Sequence, residues 1–250
     1  MRLTVIGAAA AWARPGEAAS SCYLVEHGDT AILLDMGQGA FAALRARRAP
    51  ESLAAVFVSH PHPDHCVDLI PLRHYLRYEA APAAETIALH APSGLAERFD
   101  ALFAEPDFLR DLRFDALEAD ERTVGSVRIR VAPVAHTEGS FAFRVATADD
   151  EHGPGLVYSG DCGDAGDLVP WIRPGDTLLA EASFGADEVP AGVAHLESRG
   201  AARAARDGGA GRLVVTHIQP TVDPDRALEA ARSAWDGETL IARPGLELEI

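Results

Sequence analysis

Between residues 59 and 66 the chain reads Ser-His-Pro-His-Pro-Asp-His-Cys, which places three imidazoles and one carboxylate within six positions, His60 to His65. Pro61 and Pro63 lack an amide donor and bias the residue before each towards extended backbone, so residues 60–63 cannot be helical. The preceding run, Ala54–Ser59 (Ala-Ala-Val-Phe-Val-Ser), has the apolar, β-rich content of a buried strand. The fold must therefore end a buried strand in a loop that displays His60, His62, Asp64 and His65, with a helix starting at the last two. A solvated loop has no use for that many such groups. Imidazole with carboxylate is the ligand set of zinc, iron or manganese.

The rest of the chain alternates short strand-like runs with helical patterns. Leu3–Gly7 reads as a first strand, and Cys22–Glu26 and Ala31–Asp35 flank His27-Gly28-Asp29 as a hairpin. A helix is expected over Ala40–Arg48, another over Cys66–Tyr78 interrupted at Pro71, and a third capped by Ser93 and running to about Ala104. Thr86–His90, Val127–Val131, Phe141–Ala146, Leu156–Ser159, Thr177–Glu181 and Leu213–Thr216 read as strands. Helices are expected near Ser198–Arg206 and over Pro224–Trp235, the latter with Asp223 as cap and proline in its first position. Strands interspersed with helices in both halves predict two sheets packed together with helices outside, a four-layer αββα sandwich in one domain spanning residues 1–250.

Three further candidate ligands each follow one of these apolar runs: His136 after Val131–Ala135, Asp161 after Leu156–Gly160, and His217 after Leu213–Thr216. Ligands in α/β sheets gather at the carboxyl ends of strands, so these three can meet the cluster at 60–65 on one edge. His27, His74, His90 and His152 fit turns, a helix surface and a strand end. Arg73 and Arg77, one turn apart, suit either a substrate phosphate or a solvated helix face.

The formal charge of −16, with 38 acidic residues against 22 basic ones that are all arginine, argues against a protein that grips long nucleic acid. Cys22, Cys66 and Cys162 form no C-x-x-C pair and suit a reducing, cytoplasmic setting, with Cys66 and Cys162 expected to be buried small residues beside the ligands. Met1-Arg2 and the apolar stretch reaching Ala11-Trp12-Ala13 have the outline of a short signal peptide, but the same residues read equally well as strand and small-residue loop. No apolar run is long enough to span a bilayer.

With these residues in place, the chain resembles the metallo-β-lactamase-fold hydrolases over nearly its whole length. Leu33-Leu34-Asp35-Met36-Gly37 is similar to that family's Asp-x-Gly motif, and His60–His65 matches its H-x-H-x-D-H motif. The resemblance implies that His60, His62 and His136 hold one metal, that Asp64, His65 and His217 hold a second, and that Asp161 bridges them. It also implies that Asp35 orients a ligand histidine. Antibiotic-hydrolysing members usually lack the bridging carboxylate, whereas phosphodiesterases, glyoxalases and lactonases have it. Glu181-Ala-Ser-Phe184 and His195-Leu-Glu197 resemble the branch of ribonuclease Z and the cyclic-nucleotide phosphodiesterases. In that branch a histidine placed like His195 donates a proton near the phosphate. Glu197 departs from the Thr or Ser often found two residues on.

The expected activity is hydrolysis of a phosphodiester at two divalent metals, zinc before manganese or iron. Asp161 and Asp64 hold the metals that activate a shared water, and His195 protonates the leaving alkoxide. Only 25 positions separate His136 from Asp161, which leaves no room for a long tRNA-grasping arm and points to a small substrate such as a cyclic nucleotide. Ester, thioester or lactone hydrolysis is the alternative, with a tRNA 3′-processing endonuclease and a non-catalytic metal-dependent binding protein behind it. Fold analogy favours a homodimer.

Overall fold

The computed structural model describes residues 1–14, 19–80, 86–150 and 152–250. The chain begins with strand β1 (Arg2–Gly7), followed by a hairpin of β2 (Cys22–His27) and β3 (Thr30–Leu34) turned at Gly28, whose φ of 54° is the left-handed geometry that a tight hairpin needs. Three short parallel strands extend this sheet: β4 (Ala55–Phe57), β5 (Ala88–Ala91) and β6 (Arg113–Ala116). The second sheet holds β7 (Glu121–Val124), β8 (Val127–Pro133), β9 (Phe141–Thr147), β10 (Leu156–Tyr158), β11 (Thr177–Glu181), β12 (Arg212–Thr216) and β13 (Glu238–Ile241). The last strand, β14 (Glu247–Glu249), returns to the edge of the first sheet beside β1. Among the described residues each sheet has seven strands, antiparallel in one part and parallel in the other, in the orders β14-β1-β2-β3-β4-β5-β6 and β13-β12-β11-β10-β9-β8-β7.

Burial on both faces explains why the central strands are apolar throughout rather than alternating. In β3, Ile32 and Leu34 face the second sheet while Leu33 faces the helices. The layer between the sheets packs Val5, Tyr23 and Phe57 against Ile129, Phe143, Tyr158 and Val214. Outside the first sheet lie α1 (Ala40–Arg45), α2 (Pro63–Cys66), α3 (Leu69–Tyr78) and α4 (Leu95–Phe103), with Leu44, Leu69, Leu72 and Phe99 buried against Leu33, Val56 and Leu89. Outside the second lie α5 (Ser198–Gly208) and α6 (Pro224–Ala234), which reach it through Ala201, Ala205, Ala227 and Ala231. The result is the expected four-layer αββα sandwich. No helix among the described residues is long and apolar enough to cross a membrane.

Three local expectations need correction. The break in the helix after the ligand loop falls at Val67-Asp68, not at Pro71. The Asp68 amide donates to the Met36 carbonyl and its carboxylate accepts from the Phe41 amide, so this residue is committed to the neighbouring loop. Pro71 then sits in the first turn of α3, where a missing N–H removes no helical hydrogen bond. Ser93 does not cap α4; Gly94 occupies that position at φ 83° without a side-chain bond. Arg73 is neither solvated nor aimed at phosphate, because it is buried and donates to the Phe108 carbonyl and to Glu105, while Arg77 lies beside Glu105 and Asp111.

Candidate metal centre

Strands β3 and β4 run parallel in the first sheet, as do β10, β11 and β12 in the second, and β8, antiparallel to β9, runs the same way as β10. Their carboxyl ends therefore share one edge within each sheet. Asp35 follows β3 directly, His60 follows β4, His136 follows β8, Asp161 follows β10, Glu181 ends β11, and His217 follows β12. Packing the sheets brings the seven sequence-predicted ligands together.

They form two adjoining groups. His60 Nε2 lies 3.0 Å from His62 Nδ1, and His136 Nε2 lies 3.3 Å from the same His62 atom. Asp161 Oδ2 faces this group, 3.5 Å from His60 Nε2 and 3.7 Å from His136 Nε2. In the second group His65 Nε2 and His217 Nε2 are 3.2 Å apart, and Asp64 Oδ2 is 3.2 Å from His217 Nε2. Asp161 Oδ1 faces it from 3.3 Å. One carboxylate thus turns one oxygen to each group.

The outer partners decide which imidazole nitrogens carry protons. His65 Nδ1 meets the Asp35 carboxylate at 2.7 Å and His136 Nδ1 meets the Ala194 carbonyl at 2.7 Å, and both acceptors require an N–H. Ser59 donates its hydroxyl proton to Asp35, which leaves its oxygen to accept from His60 Nδ1 at 3.1 Å. Ser183 donates to Glu181 and accepts from His217 Nδ1 at 3.0 Å in the same manner. All four imidazoles consequently point an Nε2 lone pair inward. Lone pairs gathered at such separations repel unless a cation lies among them, and buried Asp161 Oδ1 has no hydrogen-bond partner. The donor set fits divalent metal ions on both counts.

The electrostatics agree at His60 and His62. Burial, reinforced by the neighbouring imidazoles, depresses the pKa of His60 and His62, which keeps them unprotonated. His65 is the exception: burial opposes its charge, but Asp161 and Asp35 override it and raise its pKa, so without a cation a proton competes for the Nε2 position that a metal would take. Asp64 and Asp161 are held well below the usual carboxylate range: burial works against their ionisation, and the surrounding histidines outweigh it. Burial pushes the Cys66 and Cys162 thiols up to about 12, so neither is a nucleophile at neutral pH.

Asp35 is fully buried at φ 60° and accepts four hydrogen bonds, from Ser59 N, Ser59 Oγ, His65 Nδ1 and Tyr158 Oη. It stands behind His65, the position in which the resemblance implies an orienting group. His195 Nδ1 lies 2.8 Å from Glu181 Oε1 and 3.9 Å from Asp161 Oδ2, with about a fifth of its side chain exposed. Glu181, fully buried, also accepts from the amides of Cys162 and Ser183, tying the Asp161 loop to His195. Sequence reasoning gave Glu181 no role of its own; its position at the end of an apolar strand was the available signal. Glu197 is engaged with Arg203 at 2.7 Å, away from His195. His27, His74, His90 and His152 lie outside the two groups, and buried His90 stacks on Phe57.

A family model described as β-lactamase superfamily domain matches residues 30–218, which include all of these groups. The chain belongs to the β-lactamase superfamily. It is a metallo-hydrolase of the metallo-β-lactamase fold. An uncharacterised Mycobacterium tuberculosis protein, Rv1339, is 31% identical over 95% of this chain and 88% of its own length. A probable metallo-hydrolase of Bacillus subtilis, YhfI, is 28% identical over the full length of both chains. The YhfI crystal structure superposes with a TM-score of 0.86 over 99% of each chain. Ribonuclease Z of Haloferax volcanii is 25% identical in an alignment of 304 positions covering all of this chain and 95% of that superfamily member.

Proposed function

We propose that this protein is a dinuclear metal-dependent phosphodiesterase acting on a small substrate such as a cyclic nucleotide. The observation that carries the reading is Asp161, which turns one oxygen to each histidine group while the His195–Glu181 pair stands alongside. His60, His62 and His136 would hold one ion and Asp64, His65 and His217 the other, with Asp161 shared; zinc suits the set, and manganese and iron share it. Ions held there supply positive charge against the non-bridging phosphate oxygens and make water acidic enough to attack at neutral pH.

The chain's own contribution begins with orientation. Asp35, Ser59, Ser183 and the Ala194 carbonyl fix the imidazole rings from behind, so the donors need no rearrangement on binding. His195 supplies the proton for the leaving alkoxide. Burial acts against its charge, but the hydrogen bond and negative charge of Glu181 raise its pKa, favouring the protonated form that a general acid requires. Short substrates fit better than tRNA. The interval from His136 to Asp161 is taken up by β9, β10 and their connection, and the charge of −16 repels a long polyanion.

The test is a panel of bis(p-nitrophenyl) phosphate, cyclic AMP, a thioester and a lactone, assayed with wild-type, Asp161→Ala and His195→Ala proteins of known metal content. Phosphodiester turnover that collapses in both variants supports the assignment. Turnover of only the thioester or lactone moves the activity to carboxylic esters at the same site, and full phosphodiesterase activity in both variants refutes the mechanism.

A further inference from the structure

Of the three tryptophans, Trp12 alone is exposed, with 57% of its surface open to solvent. It stands on the loop that leaves β1, and that loop is fastened at several points. Ala9 bridges to Ser20 and Ile218, and the His217 amide donates to the Ala8 carbonyl at 3.1 Å. The Ala11 amide donates to Asp64 Oδ2 at 2.8 Å, which places residue 12 one step from a ligand carboxylate. Beyond it, Arg14 donates to the carbonyls of Gln219, Pro220 and Val222 in the segment after His217. Ala11 adopts φ 50°, a left-handed geometry that costs energy for a residue with a Cβ and persists only when its surroundings impose it.

We propose that Trp12 is a stacking platform for the nucleobase of the substrate, and so a specificity-determining residue for base-bearing phosphodiesters. This rests on the phosphodiesterase reading above. An exposed indole one residue after Ala11, whose amide is bonded to Asp64, offers a π-face to any base without the hydrogen-bond readout that would choose among them. Its selectivity is for substrates with a planar ring over those without.

In a Trp171→Phe, Trp235→Phe background, Trp12 is the sole indole, and its emission reports stacking directly. The zinc-loaded protein is titrated with AMP and, separately, with ribose 5-phosphate. AMP is expected to quench the emission and ribose 5-phosphate to leave it unchanged. By calorimetry on the otherwise wild-type protein, Trp12→Ala is expected to weaken AMP binding roughly 5- to 150-fold, the range that loss of one stacked base implies. Trp12→Phe should restore most of it, and cyclic AMP turnover in Trp12→Ala should show the loss in KM rather than kcat. Equal AMP affinity in wild type and Trp12→Ala, equal quenching by both ligands, or no AMP binding to the wild type at millimolar concentration overturns the proposal. A wild-type protein that stacks AMP on Trp12 yet cleaves no phosphodiester would instead overturn the activity and leave the platform standing.

Discussion

Replacing Asp35 by Asn changes one buried atom and, on the geometry here, inverts the proton on a ligand. Asn tolerates the left-handed φ of 60° as well as Asp does, so the backbone adds no strain. Three donors converge on Oδ2: Ser59 Oγ at 2.8 Å, His65 Nδ1 at 2.7 Å and Tyr158 Oη at 2.5 Å, while the Ser59 amide occupies Oδ1 at 2.6 Å. An amide must place its NH2 at one of these positions. At Oδ1 it confronts a backbone N–H that cannot turn away. At Oδ2 the two hydroxyls can rotate, but His65 must either leave its Nδ1–H unpaired or shift the proton to Nε2, which removes the inward lone pair. An unpaired buried donor costs about 1–3 kcal/mol, which for a chain of this size lowers Tm by roughly 2–12 °C. The tautomer shift leaves stability nearer to wild type and instead weakens metal binding by about 10- to 100-fold, the usual effect of losing a carboxylate behind a ligand histidine. The assay is competition against a chromophoric chelator, resolving the two equivalents that the proposed dinuclear site would bind, together with thermal unfolding in excess chelator. One equivalent should weaken, the one held by His65, while the other stays within a few-fold. If both equivalents keep wild-type affinity and metal-free Tm does not move, Asp35 does not set the His65 tautomer and the reasoning about inward lone pairs fails.

Three other outcomes follow from the same structure. His195→Gln should lower kcat for cyclic AMP by about 10²- to 10⁴-fold yet affect bis(p-nitrophenyl) phosphate far less, because p-nitrophenolate departs without a proton; equal losses on both substrates would show that His195 positions rather than protonates. Chelation should leave far-UV circular dichroism unchanged while Tm falls by roughly 5–11 °C relative to protein with metal at a hundredfold over Kd, equivalent to about 2.7 kcal/mol; wholesale loss of secondary structure would mean the ions build the fold. Asp176→Asn breaks a buried pair in which Arg144 Nε and Nη2 each sit 2.9 Å from the carboxylate, so calorimetric unfolding should register about 3–5 kcal/mol of destabilisation with unchanged metal stoichiometry.

The sequence exposed features whose cause is local and hid those whose cause is a partner far along the chain. Leu156–Ser159 and Thr177–Glu181 announce buried strands because apolar runs of that length have nowhere else to go; the second ends on Glu181, and Asp161 follows the first by two residues. Arg113–Ala116 and Glu121–Val124 were not legible as strands: each is short, carries charge and sits at a sheet edge with one solvated face. Only their register against β5 and β8 defines them. Pro71 looked like a break because proline usually is one; whether it is depends on where the helix begins, and that is settled by Asp68 bonding to Met36 and Phe41. The same logic separates Asp35 from Glu181. Asp35 precedes a motif glycine and could be flagged from its neighbours, whereas Glu181 acquires its role from His195, fourteen positions on.

The two halves of the centre also come from different sheets, and this determines how the site is held. The first sheet contributes His60 and His62 on one loop and Asp64 and His65 on α2 directly after it, and the second contributes His136, Asp161 and His217 on three loops. Burying so many polar groups is unfavourable in itself, so their convergence must be driven from elsewhere. The apolar layer beneath, where Tyr23, Phe57, Phe143 and Tyr158 are shut from solvent between the sheets, supplies that drive at about 1.5–3 kcal/mol for each large side chain. Tyr158 links the two functions: its ring lies in this layer and its hydroxyl donates across the seam to Asp35. Four of the five ligand rings, His60, His65, His136 and His217, are then tied on their outer side to a serine, a carboxylate or a backbone carbonyl. A centre assembled in this order is preformed, and binding free energy from metal and substrate goes into the chemistry rather than into folding the loops.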